Sequence, residues 1–110
     1  MSERDDSVYL RHIRDAIQQI AEYIRGTDFL AFSLDRMKQD AVIRQLEIIG
    51  EATKRISIET RQAQPEIPWK NMAGMRDVLI HNYFGVDIAA VWSTAANDLP
   101  VLERIFSDHT

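Results

Sequence analysis

Apolar residues recur at every third or fourth position along the first quarter of the chain, which is the spacing of one helix face. This stripe consists of Leu10, Ile13, Ile17, Ile20 and Ile24. The segment Asp5–Ser7 supplies candidate N-caps, so the pattern predicts a first helix that runs to about Arg25. Gly26 should end this helix, because glycine tolerates the left-handed backbone found at many helix C-termini.

A broader apolar stripe predicts a second long helix from about Leu34 to near Glu59. Its members are Met37, Val42, Ile43, Leu46, Ile49 and Ile56. Ser33 is the expected N-cap, and the preceding segment DFLAF is predicted to be a short connector with one helical turn. Gly50 lies inside the helix at a cost of about 1 kcal/mol relative to alanine, so we expect another helix to approach closely there.

Prolines mark the boundary of a third helix. The segment Gln62–Pro68 is polar and contains two prolines, so it is predicted to be a loop. Pro68 suits the first position of a helix, because its missing N–H would have no partner there in any case. The third helix is predicted from about Trp69 to His81.

The last predicted helix begins after Asp87, its expected N-cap, and runs from Ile88 to about Ser107. Pro100 should kink or split this helix near Asn97 and Asp98, because proline cannot donate the helical hydrogen bond. The period-2 alternation of strands is absent from the sequence. Four main helices joined by short loops therefore predict an all-α fold, an antiparallel helical bundle.

The chain has 110 residues, which suits a single domain spanning residues 1–110. A core of this size is modest, and association of subunits is a common way to bury more apolar surface. No apolar run approaches the roughly 20 residues of a membrane span, and the first residues lack the apolar core of a signal peptide. We therefore expect a cytoplasmic protein without a membrane partner.

Charge and residue types exclude several classes of function. The net charge is −4, so any contact with RNA or DNA must come from a local cluster of Arg and Lys. The chain has no cysteine, and its histidines, His12, His81 and His109, lack the spacing of metal ligands. Glycine-rich phosphate-binding motifs are also absent. We expect neither a metal nor another cofactor, with His12 at the surface.

The stretch 75–83, MRDVLIHNY, combines a permanent cation, an imidazole and a phenol near the predicted end of the third helix. On an ideal helix Arg76 and His81 would lie roughly 140° apart, so they would not share a face. An ordinary helix end also accounts for these residues. His81 would cap the helix, Arg76 would pair with Asp77 or another surface acid, and Tyr83 would pack on the core. Residue types alone favour this structural alternative, because structural ion pairs outnumber active sites.

Taken with its flanks, the stretch resembles a known family. Arg76-x4-His81-x-Tyr83 is similar to the R-x4-H-x-Y motif of the HEPN superfamily, and the segments IIGEATKRIS, PWKNMAGMRD and YFGVD resemble its HepT toxins. The resemblance extends from about Leu10 to Phe106. It implies a helical bundle that dimerises and acts as a metal-independent RNase. The composite active site would use Arg76 and His81 of both subunits.

The resemblance also implies partners and a switch. HepT toxins pair with MntA-type antitoxins, which are nucleotidyltransferases that transfer AMP to the motif tyrosine. Tyr83 is therefore the implied AMPylation site, and Asp77 and Asn82 are implied supporting residues. The implied substrate is RNA, and the implied assembly is a homodimer or a higher even-numbered oligomer. A non-catalytic partner that regulates a nucleotidyltransferase is the alternative, but the intact Arg76 and His81 pair favours the enzyme.

Overall fold

The computed structural model describes residues 2–75 and 87–109 of the chain. These residues form helices and no strand, in the order α1 (Ser2–Ile24), α2 (Phe29–Ser33), α3 (Arg36–Lys54), α4 (Ile58–Ala63), α5 (Trp69–Ala73), α6 (Ile88–Ser93), a π-helical segment (Thr94–Asp98) and α7 (Leu99–His109). The last three elements follow one another without a break. The all-α helical bundle predicted from the sequence is confirmed.

The two longest helices, α1 and α3, pack against each other in antiparallel orientation. Arg55 directly follows α3, and its guanidinium lies 5.8 Å from the ring centre of Tyr9 near the start of α1. α5 packs on α3, and α7 packs on α1. The largest fully buried side chains are Phe32, Phe106, Ile13, Ile20, Ile49, Ile67, Met72, Val42 and Thr53. Within the described ranges, no helix is long and apolar enough to cross a bilayer.

The start of α1 differs from the prediction. The helix begins at Ser2, so Asp5–Ser7 lie inside it instead of capping it. Asp6 is only 3% exposed, and its carboxylate accepts hydrogen bonds from the Ser57 N–H at 2.9 Å, the Ser57 hydroxyl at 2.5 Å and the Thr60 hydroxyl at 2.5 Å. At the other end of the helix, Gly26 has φ +69°, which confirms its predicted role.

The junction of α2 and α3 corrects one predicted cap. The expected helical turn is present as α2, but Ser33 ends that helix and its hydroxyl donates to the Leu30 carbonyl at 2.7 Å. Asp35 is the N-cap of α3, and its carboxylate accepts from the Lys38 N–H at 3.0 Å. Both residue types make good caps, so composition alone does not choose between them.

The predicted second helix is divided in two. α3 ends at Lys54, and Ser57 caps α4, with its hydroxyl oxygen accepting from the Thr60 N–H at 3.3 Å. Ser57 is also bound by Asp6, so a contact from the other end of the fold stabilises the break. α4 then continues to Ala63, inside the segment predicted to be a loop.

The interruption of the last helix lies close to the predicted place. Asp87 caps α6 as expected, and its carboxylate accepts from the Ala90 N–H at 3.1 Å. Immediately before Pro100 the helix widens into the π-helical segment, where the Leu99 N–H donates to the Thr94 carbonyl. Proline has no N–H to donate to the preceding turn, and a wider turn accommodates this loss.

Candidate functional site

The predicted site residues fall in the segment 76–86, which lies outside the described residues. They are the proposed catalytic Arg76 and His81, the supporting Asp77 and Asn82, and the proposed modification site Tyr83. Their roles stay predictions. The structure does place the residues that flank the segment on either side, Met75 and Asp87.

Met75 and Asp87 line the same cavity, which has a volume of about 640 Å³. In its described part the wall comes from α3, α5, α6, the π-helical segment and α7. Leu46, Met72 and Leu102 make it largely apolar. The segment that carries the motif is therefore attached to the bundle at two points of one cavity wall.

The flank before the motif is firmly held by α5. Trp69 is 7% exposed, its indole N–H donates to the Gln64 carbonyl at 3.0 Å, and its ring meets that of Phe106 edge-on at 6.1 Å. This confirms Trp69 as a core residue. Pro68 is the N-cap of α5 rather than its first residue, and Met72 is fully buried. The third predicted helix is present only from Trp69 to Ala73, because Gly74 forms its C-cap and its N–H donates to the carbonyls of Lys70 and Met72. Residues 76–81 of the predicted helix lie outside the described residues.

The flank after the motif is held by α6. Val91 is buried and faces the cavity, while the neighbouring Trp92, about 100° further round the helix, packs against α2. The ring centres of Trp92 and Phe32 are 5.2 Å apart, and those of Trp92 and Phe29 are 6.4 Å apart. Trp92 was predicted to be a core or interface residue, and its packing on the core confirms this. α6 thus contributes both to the cavity wall and to the contact with α2.

The described wall of the cavity has little positive charge. Lys70 is the one cation among its described residues, against the carboxylates of Asp87 and Asp98. The described wall thus offers a phosphate group one cation, and the sequence has a further cation, Arg76, in the segment that joins Met75 to Asp87. The π-helical segment contributes Thr94 and Asp98 to the wall, and such wide turns are frequent at functional sites.

A second concave surface, which the sequence did not predict, lies between α1 and α3. This groove of about 420 Å³ is lined by Tyr9, His12, Arg44, Glu51 and Arg55, among others. His12 is exposed, as predicted, and meets the Tyr9 ring edge-on at 6.1 Å. Among the residues that the structure describes, no group of three or more His, Cys, Asp or Glu side chains comes close enough together to hold a metal ion.

Comparisons with known proteins place the chain in a family. Residues 13–108 match the model of the family described as "Ribonuclease HepT-like", a range that includes the motif and both flanks. A probable ribonuclease HepT of Thermococcus cleftensis is 48% identical over 103 residues, which are 94% of each chain. A putative RNase of Caldanaerobacter subterraneus is 43% identical over 87% of this chain and 86% of the relative.

A third relative is longer than this chain. It is a Methanocaldococcus jannaschii protein named as a gamma-glutamylcyclotransferase and putative RNase, 44% identical over 92% of this chain but only 46% of the relative. No solved structure matches the chain. The family match covers most of the bundle, and the first relative aligns along nearly its whole length. The resemblance seen around Arg76-x4-His81-x-Tyr83 is thereby confirmed, and the chain belongs to the HepT-like ribonuclease family.

Proposed function

We propose that this protein is a metal-independent endoribonuclease toxin whose active site is composed of Arg76 and His81 from two subunits. The observation that carries the proposal is the family match over residues 13–108, because this range contains both residues in an intact motif. Relatives named as RNases support RNA as the substrate.

The proposed reaction is the attack of a ribose 2′-oxygen on the adjacent phosphorus. The P–O bond to the 5′-oxygen breaks, which leaves a 2′,3′-cyclic phosphate and a 5′-hydroxyl end. One His81 takes the proton of the 2′-hydroxyl, and the second His81 gives a proton to the departing 5′-oxygen. DNA lacks the 2′-hydroxyl and would not be cut.

Arg76 is proposed to stabilise the negative charge of the phosphorane. A guanidinium stays charged at every physiological pH and matches two phosphate oxygens at once. A twofold dimer would bring two such cations to one groove, which a protein of net charge −4 needs in order to hold RNA. The described cavity wall adds one cation, Lys70, and the carboxylates of Asp87 and Asp98. Asp77 and Asn82 are proposed to orient Arg76 and His81.

Tyr83 is proposed to be the off-switch. In the proposed modification its phenolic oxygen attacks the α-phosphorus of ATP, pyrophosphate leaves, and AMP stays attached through a phosphodiester. The enzyme would be a nucleotidyltransferase antitoxin. The added negative charge and nucleoside lie two residues from His81 in the sequence, so they would repel and block the phosphate of an RNA substrate.

The test is an incubation of purified protein with cellular RNA in EDTA. Wild type should cut RNA but not DNA, and His81→Ala and Arg76→Ala variants that remain folded and dimeric should not. His12→Ala is the matched control, because it removes an exposed histidine from α1, outside the proposed site. Equal cutting by wild type and the site variants would refute the catalytic assignment. Intact RNA with wild type would favour a non-catalytic partner of a nucleotidyltransferase.

A further inference from the structure

The groove between α1 and α3 has an aromatic ring with a cation at one end and a second cation at the other. It is called here the α1–α3 groove, and its volume is about 420 Å³. The Arg55 guanidinium lies 5.8 Å from the ring centre of Tyr9, so these two side chains mark one end. Arg44 also lines the groove and lies eleven residues before Arg55, or about 16 Å along the helix axis.

Small side chains make the floor of the α1–α3 groove. Ala16 of α1 and Ala52 of α3 are both buried and both line the groove. A methyl group fills less space than the side chains of the walls, so the two helices leave a trough between them. The volume of this trough lies within the range of about 300–1,000 Å³ that is typical of small-molecule sites.

The lining of the α1–α3 groove fits a planar polar ligand better than a partner helix. Among the described lining residues only Ala16, Ile48 and Ala52 are aliphatic, whereas a docked helix needs a continuous apolar stripe. The other lining residues are polar, charged or aromatic. An aromatic ring and a guanidinium plane are the surfaces on which unpaired nucleobases stack. This chemistry favours a nucleobase at the Tyr9 end.

The charges of the α1–α3 groove suit different parts of a nucleotide at its two ends. Glu51 lies one helical turn before Arg55, and Asp15 lies six residues after Tyr9, so both carboxylates are nearer to the Tyr9 end than Arg44 is. Carboxylate oxygens accept hydrogen bonds from the N–H groups on the edge of a base. Arginine matches the oxygens of a phosphate group. The base therefore belongs at the Tyr9 end, and the phosphate belongs at Arg44.

We propose that the α1–α3 groove binds a nucleotide, with its base against Tyr9 and Arg55 and its phosphate on Arg44. This chemistry is the same for a free nucleotide and for an unpaired nucleotide of single-stranded RNA. In the described part of the chain, the groove shares no lining residue with the cavity of Met75 and Asp87. If the ligand is RNA, the inference rests on the proposed function, and the groove holds a part of the substrate away from the bond that is cut.

The first test removes the ring of Tyr9 in proteins that all carry His81→Ala, so that RNA stays intact whether or not wild type cuts it. The probe is 2-aminopurine ribonucleotide, free or within single-stranded oligoadenylate, because stacking quenches its fluorescence. Tyr9→Leu should weaken binding about 10-fold and abolish the quenching. Tyr9→Phe keeps the ring and should bind and quench like the His81→Ala parent. The melting temperature checks that each variant is folded, since Tyr9 packs partly on the core.

The second test removes the cation at the other end of the groove. Arg44 is exposed, so Arg44→Gln should keep the fold. The affinity for either probe should fall about 10-fold, while the fluorescence of the bound base should stay quenched. Arg36→Gln is the matched control, because it removes an exposed arginine of the same helix that does not line the groove. This control should bind like the parent.

The two probes distinguish the sources of the ligand. Binding of the free nucleotide assigns the groove to nucleotides in solution, and binding of the strand alone assigns it to RNA. Either result supports the proposal if Tyr9→Leu and Arg44→Gln weaken it. Oligoadenylate paired with oligouridylate should not compete, because its bases are already stacked in a duplex.

The proposal is overturned if neither probe binds, or if folded Tyr9→Leu or Arg44→Gln binds as tightly as the parent. It is also overturned if Tyr9→Phe binds as weakly as Tyr9→Leu, or if the duplex competes as well as the single strand. RNA cutting by wild type is scored separately. A protein that binds nucleotides through Tyr9 and Arg44 but does not cut RNA therefore refutes only the proposed function.

Discussion

The carboxylate of Asp6 accepts a 2.5 Å hydrogen bond from the hydroxyl of Thr60, a residue 54 positions later in the chain. Ser57 donates to the same carboxylate through its N–H and its hydroxyl. Asp6 thereby joins the first helix to the break between α3 and α4. Because the group is buried and charged, its partners matter more to stability than those of a surface carboxylate.

Asp6→Asn should lower the free energy of unfolding by about 1–2 kcal/mol at neutral pH, since it weakens charge-assisted hydrogen bonds. Burial raises the pKa of Asp6, but the hydrogen bonds from Ser57 and Thr60 outweigh this and hold the pKa below its ordinary value. The stabilisation is therefore complete above the ordinary pKa of about 4 and is lost as the pH falls through the lower folded value.

Urea unfolding of wild type and Asp6→Asn between pH 3 and 7 checks this prediction. The difference in the free energy of unfolding between the two proteins should be constant above about pH 5 and should shrink in more acidic solution. Asp15→Asn changes an exposed carboxylate of the same helix and should have little effect at any pH. A difference that does not depend on pH would contradict the role given to the charge of Asp6.

Gln39→Met should loosen the junction of α2 and α3. The two side chains have similar shapes, but methionine cannot donate to the carbonyls of Phe32 and Ser33. We expect the free energy of unfolding to fall by about 1–2 kcal/mol. Amide hydrogen exchange across α2 should become faster. Gln45→Met, at a half-buried position of the same helix, should leave the exchange of α2 unchanged. Unaltered protection of α2 in Gln39→Met would show that these hydrogen bonds do not fix it.

Lys70→Ala should weaken RNA binding without stopping cleavage. Lys70 lies on the described cavity wall but is not among the proposed catalytic residues. The expected result is a higher KM with kcat nearly unchanged. In a plot of the logarithm of the RNA association constant against the logarithm of the salt concentration, the magnitude of the slope should fall by about one. Arg14→Ala removes an exposed cation from α1, away from the described wall, and serves as the control. A fall in kcat with constant KM would argue against this role.

Tyr83→Phe should abolish modification by a co-expressed nucleotidyltransferase. Phenylalanine lacks the oxygen that would attack ATP, so the AMP-sized mass increments expected for wild type should vanish. Tyr23→Phe is the control, because it removes a half-buried phenol on α1. Intact-mass measurement after co-expression distinguishes the cases. Increments that persist in Tyr83→Phe would assign the modification to another residue.

Local chemistry predicted much of the fold correctly, and long-range contacts explain most of the differences. Gly26 and Asp87 were identified as helix boundaries because their roles depend only on neighbouring residues. Asp6 was predicted as a candidate N-cap, but its hydrogen-bond partners lie 51 and 54 residues away in the sequence. A pattern of neighbouring residues cannot predict contacts at that separation. Ser33 and Asp35 are both suitable caps two residues apart, and Gln39 fixes the carbonyl of Ser33 at the end of α2.

The candidate site was predicted from a motif rather than from geometry. Residue types alone favoured an ordinary helix end for Arg76 and His81, and only the resemblance of the flanks indicated a ribonuclease. The family match confirms that resemblance, and the structure places Met75 and Asp87 on one cavity. The sequence did not show that the described cavity wall has so few cations, because residues from five elements meet there only in the fold.

The π-helical segment Thr94–Asp98 forms part of the cavity wall, and the shape of this part depends on the number of residues in the segment more than on their types. A π turn holds about one residue more than an α turn, so deleting a residue there would restore a regular helix. Everything after it would then rotate by about 100° relative to α6. Val101 and Leu102 would leave the cavity, and their helix would lose its match to α1. A single insertion or deletion within Thr94–Asp98 should therefore disturb the cavity more than the exchange of a residue there.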